Sequence, residues 1–266
     1  MSALEKQQVD QIVAEINQCP DAKSAFGVVS RLSKKLGFSY CCVVESVFSS
    51  DLKSDVATRI GVSSELVFSD YPREKHDLRV KIFRETDPQS MPGGRPLLAD
   101  PFPPFAAGSN WFRTNGEPMS AHDKKYFDDL DEIWEPSGTI VYPIRSTQSE
   151  KFPVACVSME SAYTADWLSG FLETTADSVI PIISAFDEKL YPHLVELENS
   201  RMNLTDRELE CLRLTAEGHS LKGIAYELAI SVAMASRHLR KIRTKMRVSN
   251  TAMAVLKAQR LGLVSL

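Results

Sequence analysis

The sequence predicts an α+β protein: an N-terminal α-β-α sandwich around an antiparallel sheet, then a C-terminal all-α unit of four helices. Three observations predict it. Short β-branched and aromatic runs follow one another without crossover helices between them, which favours antiparallel over doubly wound parallel pairing. Amphipathic segments bracket those runs, as the outer layers of a sandwich require. From Leu204 onward the strand signal stops and four capped helical segments follow in succession.

The elements can be justified in order. Leu4–Gln18 and Ala22–Leu36 are amphipathic helices; in the second, Ala25, Val28, Val29, Leu32 and Leu36 recur at helical spacing. Phe38–Phe48 and Val56–Phe68 have the composition of strands, and adjacent Cys41 and Cys42 should therefore point to opposite faces. Pro72–Glu85 reads as helix. Thr86–Ser109 holds six prolines, which rules out regular structure through most of it. Ser120–Trp134 restarts a helix, with Ser120 as N-cap and Asp123 three residues on. Gly138–Arg145 and Phe152–Ser158 form a strand pair joined by a polar turn. Asp166–Leu190 is a long helix, interrupted or kinked at Pro181, and a polar stretch from Tyr191 to Asn203, marked by Pro192, reads as a linker. The expected domains are thus 1–190, a linker at 191–203, and 204–266.

Composition narrows the function. An apolar fraction of 43% and a charged fraction of 25% are those of a chain that folds around a core, so disorder is excluded as the default. The net charge of −4 hides a split: from Leu204 the chain carries 11 Lys/Arg against 5 Asp/Glu, and the remainder has a net charge of −10. A basic small unit beside an acidic large one fits a phosphate-binding module whose companion does not touch nucleic acid. The five cysteines are odd in number and lack zinc or redox spacing, so a reduced, buried set in the cytoplasm is expected. None of the five histidines is spaced from Cys or Asp as a metal ligand or catalytic pair would be. No catalytic residue, metal or cofactor is expected, and the chain does not read as an enzyme. The polar N-terminus and the lack of a ~20-residue apolar run predict a soluble protein with no membrane partner.

The C-terminal segment carries the sharpest motif. Thr205 and Glu208 form a capping box, Leu209, Leu212 and Ala216 line one face, and Gly218 ends the helix where positive φ is wanted. Ser220 caps a second helix with Ile224, Ala225 and Leu228 inward. Ser231 caps a third, in which Ala235, Leu239, Ile242 and Met246 form a buried stripe. A fourth, Thr251–Leu261, ends at Gly262. From His219 to Val248 seven Lys/Arg face a single acid, Glu227. Basic charge on the third helix of a capped three-helix unit is the pattern of a helix-turn-helix reader of double-stranded DNA. Val232, Ala233, Ser236 and Arg237 are placed to meet base edges, and Ser220, Ser231, Arg240, Lys241 and Lys245 complete the candidate DNA contacts.

These residues closely resemble the LuxR/GerE class of helix-turn-helix domains, over Leu204 to Val264. Leu-Thr-x-Arg-Glu, Glu-Gly-x-Ser, Ile-Ala-x-x-Leu, Ser231, His238, Lys245 and Asn250 fall in register. Met234-Ala235 departs from the usual Thr-Val and Thr251 from the usual Arg; the lost Thr hydroxyl removes one expected phosphate contact. The N-terminal part, about Phe26 to Asp187, more weakly resembles the autoinducer-binding domain of LuxR-type quorum-sensing receptors. That resemblance rests on Trp111, Pro118-Met-Ser120, Asp123, Tyr126-Phe127, Ser137-Gly138, Tyr142-Pro143-Ile144, Tyr71 and Asp87-Pro88. It implies that Tyr71, Asp87, Trp111 and Ser158 line a pocket for a small signal, with Gly138 as a packing position. Lys75 and Arg79 stand where the family has a ligand-binding Trp and Tyr. Burying either charge unpaired costs several kcal/mol. Either the pocket admits a different, anionic signal rather than a standard acyl-homoserine lactone, or both side chains point to water.

The resemblance further implies a homodimer on pseudo-palindromic operators, with RNA polymerase as a candidate partner and activation as the commoner output. The competing reading is a ligand-independent regulator of the same type, whose N-terminal domain serves dimerisation or contact with another protein.

Overall fold

A computed structural model describes residues 4–49, 61–77, 104–108, 138–144 and 154–265. The chain divides into two compact units, with residues 1–48 and 62–193 in the first and residues 49–61 and 194–266 in the second.

In the first unit, α1 spans Lys6–Gln18 and α2 spans Ala22–Lys35. Both starts are closed by side chains. Glu5 and Gln8 form a reciprocal capping box, and the Asp21 carboxylate accepts from the Ser24 N–H at 2.7 Å. The strands are β1 (Tyr40–Ser49), β2 (Gly61–Ser69), β3 (Phe105–Gly108), β4 (Gly138–Ile144) and β5 (Val154–Ser161), in the sheet order β2-β1-β5-β4-β3. β1 with β5, β5 with β4 and β4 with β3 pair antiparallel, as the absence of crossovers predicts.

Cross-strand partners in this register share a face, so the sheet's two sides can be written down. One side holds Cys41, Val43, Ile140, Tyr142, Ile144, Ala155, Val157 and Met159, all buried. Here Cys41 lies beside Ser33 of α2. The other side holds Cys42, Val44, Val141, Cys156, Ser158 and Glu160, also buried. Cys41 and Cys42 do point apart. Burial pushes the Cys41 thiol well above its usual value, so it acts as a small apolar group rather than a nucleophile.

Two expectations are corrected. β3 lies inside the proline-rich stretch read as irregular. Its four residues, Phe105 to Gly108, contain no proline, and among the described strands it pairs with β4 alone, so it suits a sheet edge. The second correction is larger. α3 runs unbroken from Ala165 to Met202, through Pro181, Pro192 and all but the last residue of the segment read as a linker. Each proline lacks an amide N–H for the helix ladder, but Leu168, Phe171, Thr175, Val179, Ile182, Phe186, Leu190 and Leu194 continue one buried stripe past both. The burial of those side chains outweighs two lost bonds. That side is dry enough that burial, with Glu188 adding repulsion, pushes the Asp187 carboxyl up to about 7.

Of the helix expected at Pro72–Glu85, residues 73–77 are helical and the remainder lies outside the described residues, as does the helix expected at Ser120–Trp134. From Leu194 on, the second unit is built of helices: the end of α3, then α4 (Asp206–Ala216), α5 (Leu221–Glu227), α6 (Val232–Lys245) and α7 (Thr251–Arg260). Its core joins Met202, Cys211, Leu212, Ile224, Ala225, Ala235, Ile242, Met246, Ala254, Ala258, Leu261 and Val264.

Candidate functional site

In the first unit the backbone amide of Cys41 donates to the Asp70 carboxylate at 2.7 Å and the Ser30 hydroxyl donates to it at 2.5 Å. Lys34 approaches the same carboxylate at 3.4 Å, and the Asp70 N–H donates to the Cys41 carbonyl. Asp70 thus ties α2, β1 and the end of β2 together. No sequence motif singled it out, because its partners lie 29 to 40 residues away. The next residue, Tyr71, is set by this anchor. It is buried, its hydroxyl donates to Cys42 Sγ at 3.2 Å, and its ring lies 5.4 Å from that of Tyr40.

Cys42 is the cross-strand partner of Ser158, so Tyr71 and Ser158 meet on one side of the sheet, the side away from Cys41 and Ser33. Lys75 reaches the same place, with its ammonium 5.0 Å from the centroid of the Tyr40 ring. A cation over an aromatic face is held electrostatically, so this charge is carried at the sheet. Tyr40 in turn pairs across the strands with buried Glu160. Three of the residues expected around a signal (Tyr71, Lys75 and Ser158) are therefore brought together. Gly138 is not. It stands on the opposite side, where a β-carbon would run into the Tyr163 carbonyl and come within 2.5 Å of Leu168 Cδ1. It is a packing position against α3. Asp87, Arg79 and Trp111 lie outside the described residues.

In the second unit, Thr205 Oγ1 accepts from the Glu208 N–H while the Glu208 carboxylate accepts from the Thr205 N–H, closing the expected capping box. Gly218 ends α4 at φ 86°. Ser220 Oγ accepts from Gly223 N and Ser231 Oγ from Met234 N, so both serines cap as read. Between these helices the turn passes through Ala229 at φ 51°, with the Ile230 N–H donating to the Ala225 carbonyl. α5 and α6 thus cross over a shared core of Ile224, Ala225, Ala235 and Ile242. That packing turns the rest of α6 outward: Val232, Ala233, Ser236, Arg237, Arg240 and Lys241 are all exposed.

Residues 202–258 match the family described as bacterial regulatory proteins, luxR family. The segment is a LuxR-family helix-turn-helix domain. A solved structure of Escherichia coli SdiA is similar to the chain at 15% identity, with 97% of this chain and 98% of that chain covered and a TM-score of 0.47. A structure of SdiA in complex with octanoyl-rac-glycerol is similar at 15% identity, covering 100% of both chains, with a TM-score of 0.47. No curated protein sequence matches the chain.

Within the LuxR-family domain, one expected DNA contact also has partners inside the fold. The Lys245 ammonium donates to Glu208 at 2.6 Å and to the Asn203 carbonyl at 2.7 Å, clamping α6 onto the start of α4. Burial alone would raise the Glu208 carboxyl, but Lys245 and the Thr205 amide outweigh it and hold the group below its usual range. Thr251, at the position of the family's Arg, accepts from Arg243 at 3.3 Å, while Asn250 caps α7. The domain also holds a pair that no local pattern announces. Lys257 of α7 donates to Glu198 of α3 at 2.5 Å and to the Met246 carbonyl at 3.2 Å, and both charged side chains are buried. Glu198 comes from the supposed linker, so the second unit includes the last turns of α3.

Proposed function

We propose that the chain is a transcription regulator whose LuxR-family domain grips duplex DNA through the outer face of α6, under control of a small signal received by the first unit. One observation carries the output half: the exposed side of α6 sets Arg237, Arg240 and Lys241 on a helix whose inner side is locked into the core. Cations there neutralise phosphates, and side chains near the helix start enter the major groove. Binding as a homodimer to pseudo-palindromic sites follows from two-fold symmetry of reader and operator, with half-sites about one helical turn apart. Arg240 and Lys241 serve phosphates; Arg237, one turn into α6, serves a guanine edge.

Replacing Arg237 with Ala should weaken specific binding by about 1–3 kcal/mol and relax the preference at one base position. Fluorescence anisotropy on a selected duplex measures this, and unchanged affinity and preference would place the reading face elsewhere.

The input half rests on Tyr71, Lys75 and Ser158 sharing one side of the sheet. A lysine ammonium over Tyr40 supports a signal with an anionic head rather than an uncharged lactone. Melts of the full chain with acyl-homoserine lactones and with fatty carboxylates of matched length test this. A ligand at 100 times its Kd adds about 2.7 kcal/mol, and the carboxylate should give the larger rise. A larger rise with the lactone would reverse the assignment of the head group. No rise with either would favour a first unit that serves dimerisation alone.

A further inference from the structure

The first turn of α6 differs in chemistry from the rest of its outer face. Val232 is 43% exposed and Met234 50%, with exposed Ala233 between them. These three are consecutive, and none carries a side-chain hydrogen-bond donor. The neighbouring Ser231 hydroxyl oxygen already accepts from the Met234 amide as the helix cap. Ala235 turns inward and is fully buried, so the apolar surface is confined to this turn. One turn further on the chemistry reverses, with Ser236, Arg237, Arg240 and Lys241 exposed. An apolar tip flanked by cations is complementary to a polyanionic groove that contains apolar points. In the major groove of duplex DNA the apolar point is the thymine C5-methyl.

We propose that Val232, Ala233 and Met234 read thymine methyl groups by contact, next to a guanine read by Arg237. This rests on the DNA-binding reading above. From Ala233 to Arg237 the helix rises about 6 Å, on the order of two base steps, so the methyl contacts and the guanine fall in one short run of each half-site. Readout by methyl contact needs no polar side chain in the first turn, which accounts for a thioether where related domains place a threonine hydroxyl. It also gives exposed Val232 and Met234 an apolar partner that their own fold does not supply.

The test removes the methyl alone. Duplexes selected by the full chain from a random pool are resynthesised with deoxyuridine for thymidine, one position at a time, which leaves charge and hydrogen-bonding edges unchanged. Affinity should fall about 3- to 5-fold at one or two adjacent positions per half-site. A Val232→Ser, Met234→Ser variant, checked for an unchanged melt, should lose most of the difference between thymidine and deoxyuridine duplexes. If no deoxyuridine position lowers affinity for the wild type, the inference is overturned while DNA binding stands. If the chain selects no duplex even at low salt, the DNA-binding reading falls and this inference with it. The substitution of deoxyuridine needs no protein variant, so a misfolded mutant cannot shield the idea.

Discussion

Replacing Glu198 with Ala should destabilise the LuxR-family unit by about 3–5 kcal/mol, a large share of the ~5–15 kcal/mol that holds a typical domain. The reason is the partner left behind. Lys257 is buried and would lose the carboxylate that faces its ammonium, while the Met246 carbonyl it also bonds cannot neutralise a charge. Taking one ion out of water costs several kcal/mol, and only the opposite charge at hydrogen-bond distance offsets it. Arg201, 3.7 Å from the other Glu198 oxygen, is left in place and adds positive charge beside Lys257. The double change Glu198→Leu, Lys257→Met should recover most of the loss, since a buried pair replaced by apolar residues of like volume is often neutral. Urea denaturation of the full chain and of the two variants measures both effects. A single-variant cost below about 1 kcal/mol would mean that water reaches the pair and that its burial is only apparent.

The second large effect belongs to Gly138. An alanine there should cost about 3 kcal/mol, at the upper end of the range for overpacking. Its β-carbon would run into the Tyr163 backbone carbonyl, and main chain cannot rotate away as a side chain can. The other obstacle, Leu168 Cδ1, belongs to a fully buried residue with little room to move. Gly170 is the control. A β-carbon at that position meets nothing within 4 Å, and the residue lies inside α3. Gly170→Ala should therefore stabilise by about 0.5–1 kcal/mol through helix propensity alone. Equal effects at the two glycines, measured by thermal melts, would refute the close approach of β4 to α3.

How much of this was legible beforehand depends on the distance over which each feature is decided. The Thr205–Glu208 box, the serine caps at Ser220 and Ser231, the positive φ at Gly218 and the inward stripe of α6 all involve residues within a turn or two of each other. The opposition of Cys41 and Cys42 follows from the two-residue period of a strand. The continuity of α3 was not legible in this way. Two prolines and a polar composition argue for a linker between 191 and 203, but α3 continues because its buried stripe extends past both. Propensity lost to packing there.

The candidate sites divide along the same line. The exposed face of α6 could be drawn from the heptad-like pattern, because whatever is not on the inward stripe must face out. Lys245 looked like one more cation on that face until Glu208, 37 residues away, was seen to hold it. Around the first unit's sheet, family positions brought Tyr71, Ser158 and Gly138 together as names. Strand register separated them, placing Gly138 against α3 and the other two beside Cys42.

The sequence by itself determined the order of secondary structure, the helix caps and the basic output helix, because these arise from propensities and periods acting over a few residues. Only the tertiary structure decided which charges are spoken for and which sheet face a residue serves. Those outcomes depend on pairs brought together across 29 to 59 residues. A charge's role is set by the nearest opposite charge in space, and spacing along the chain carries no record of that distance.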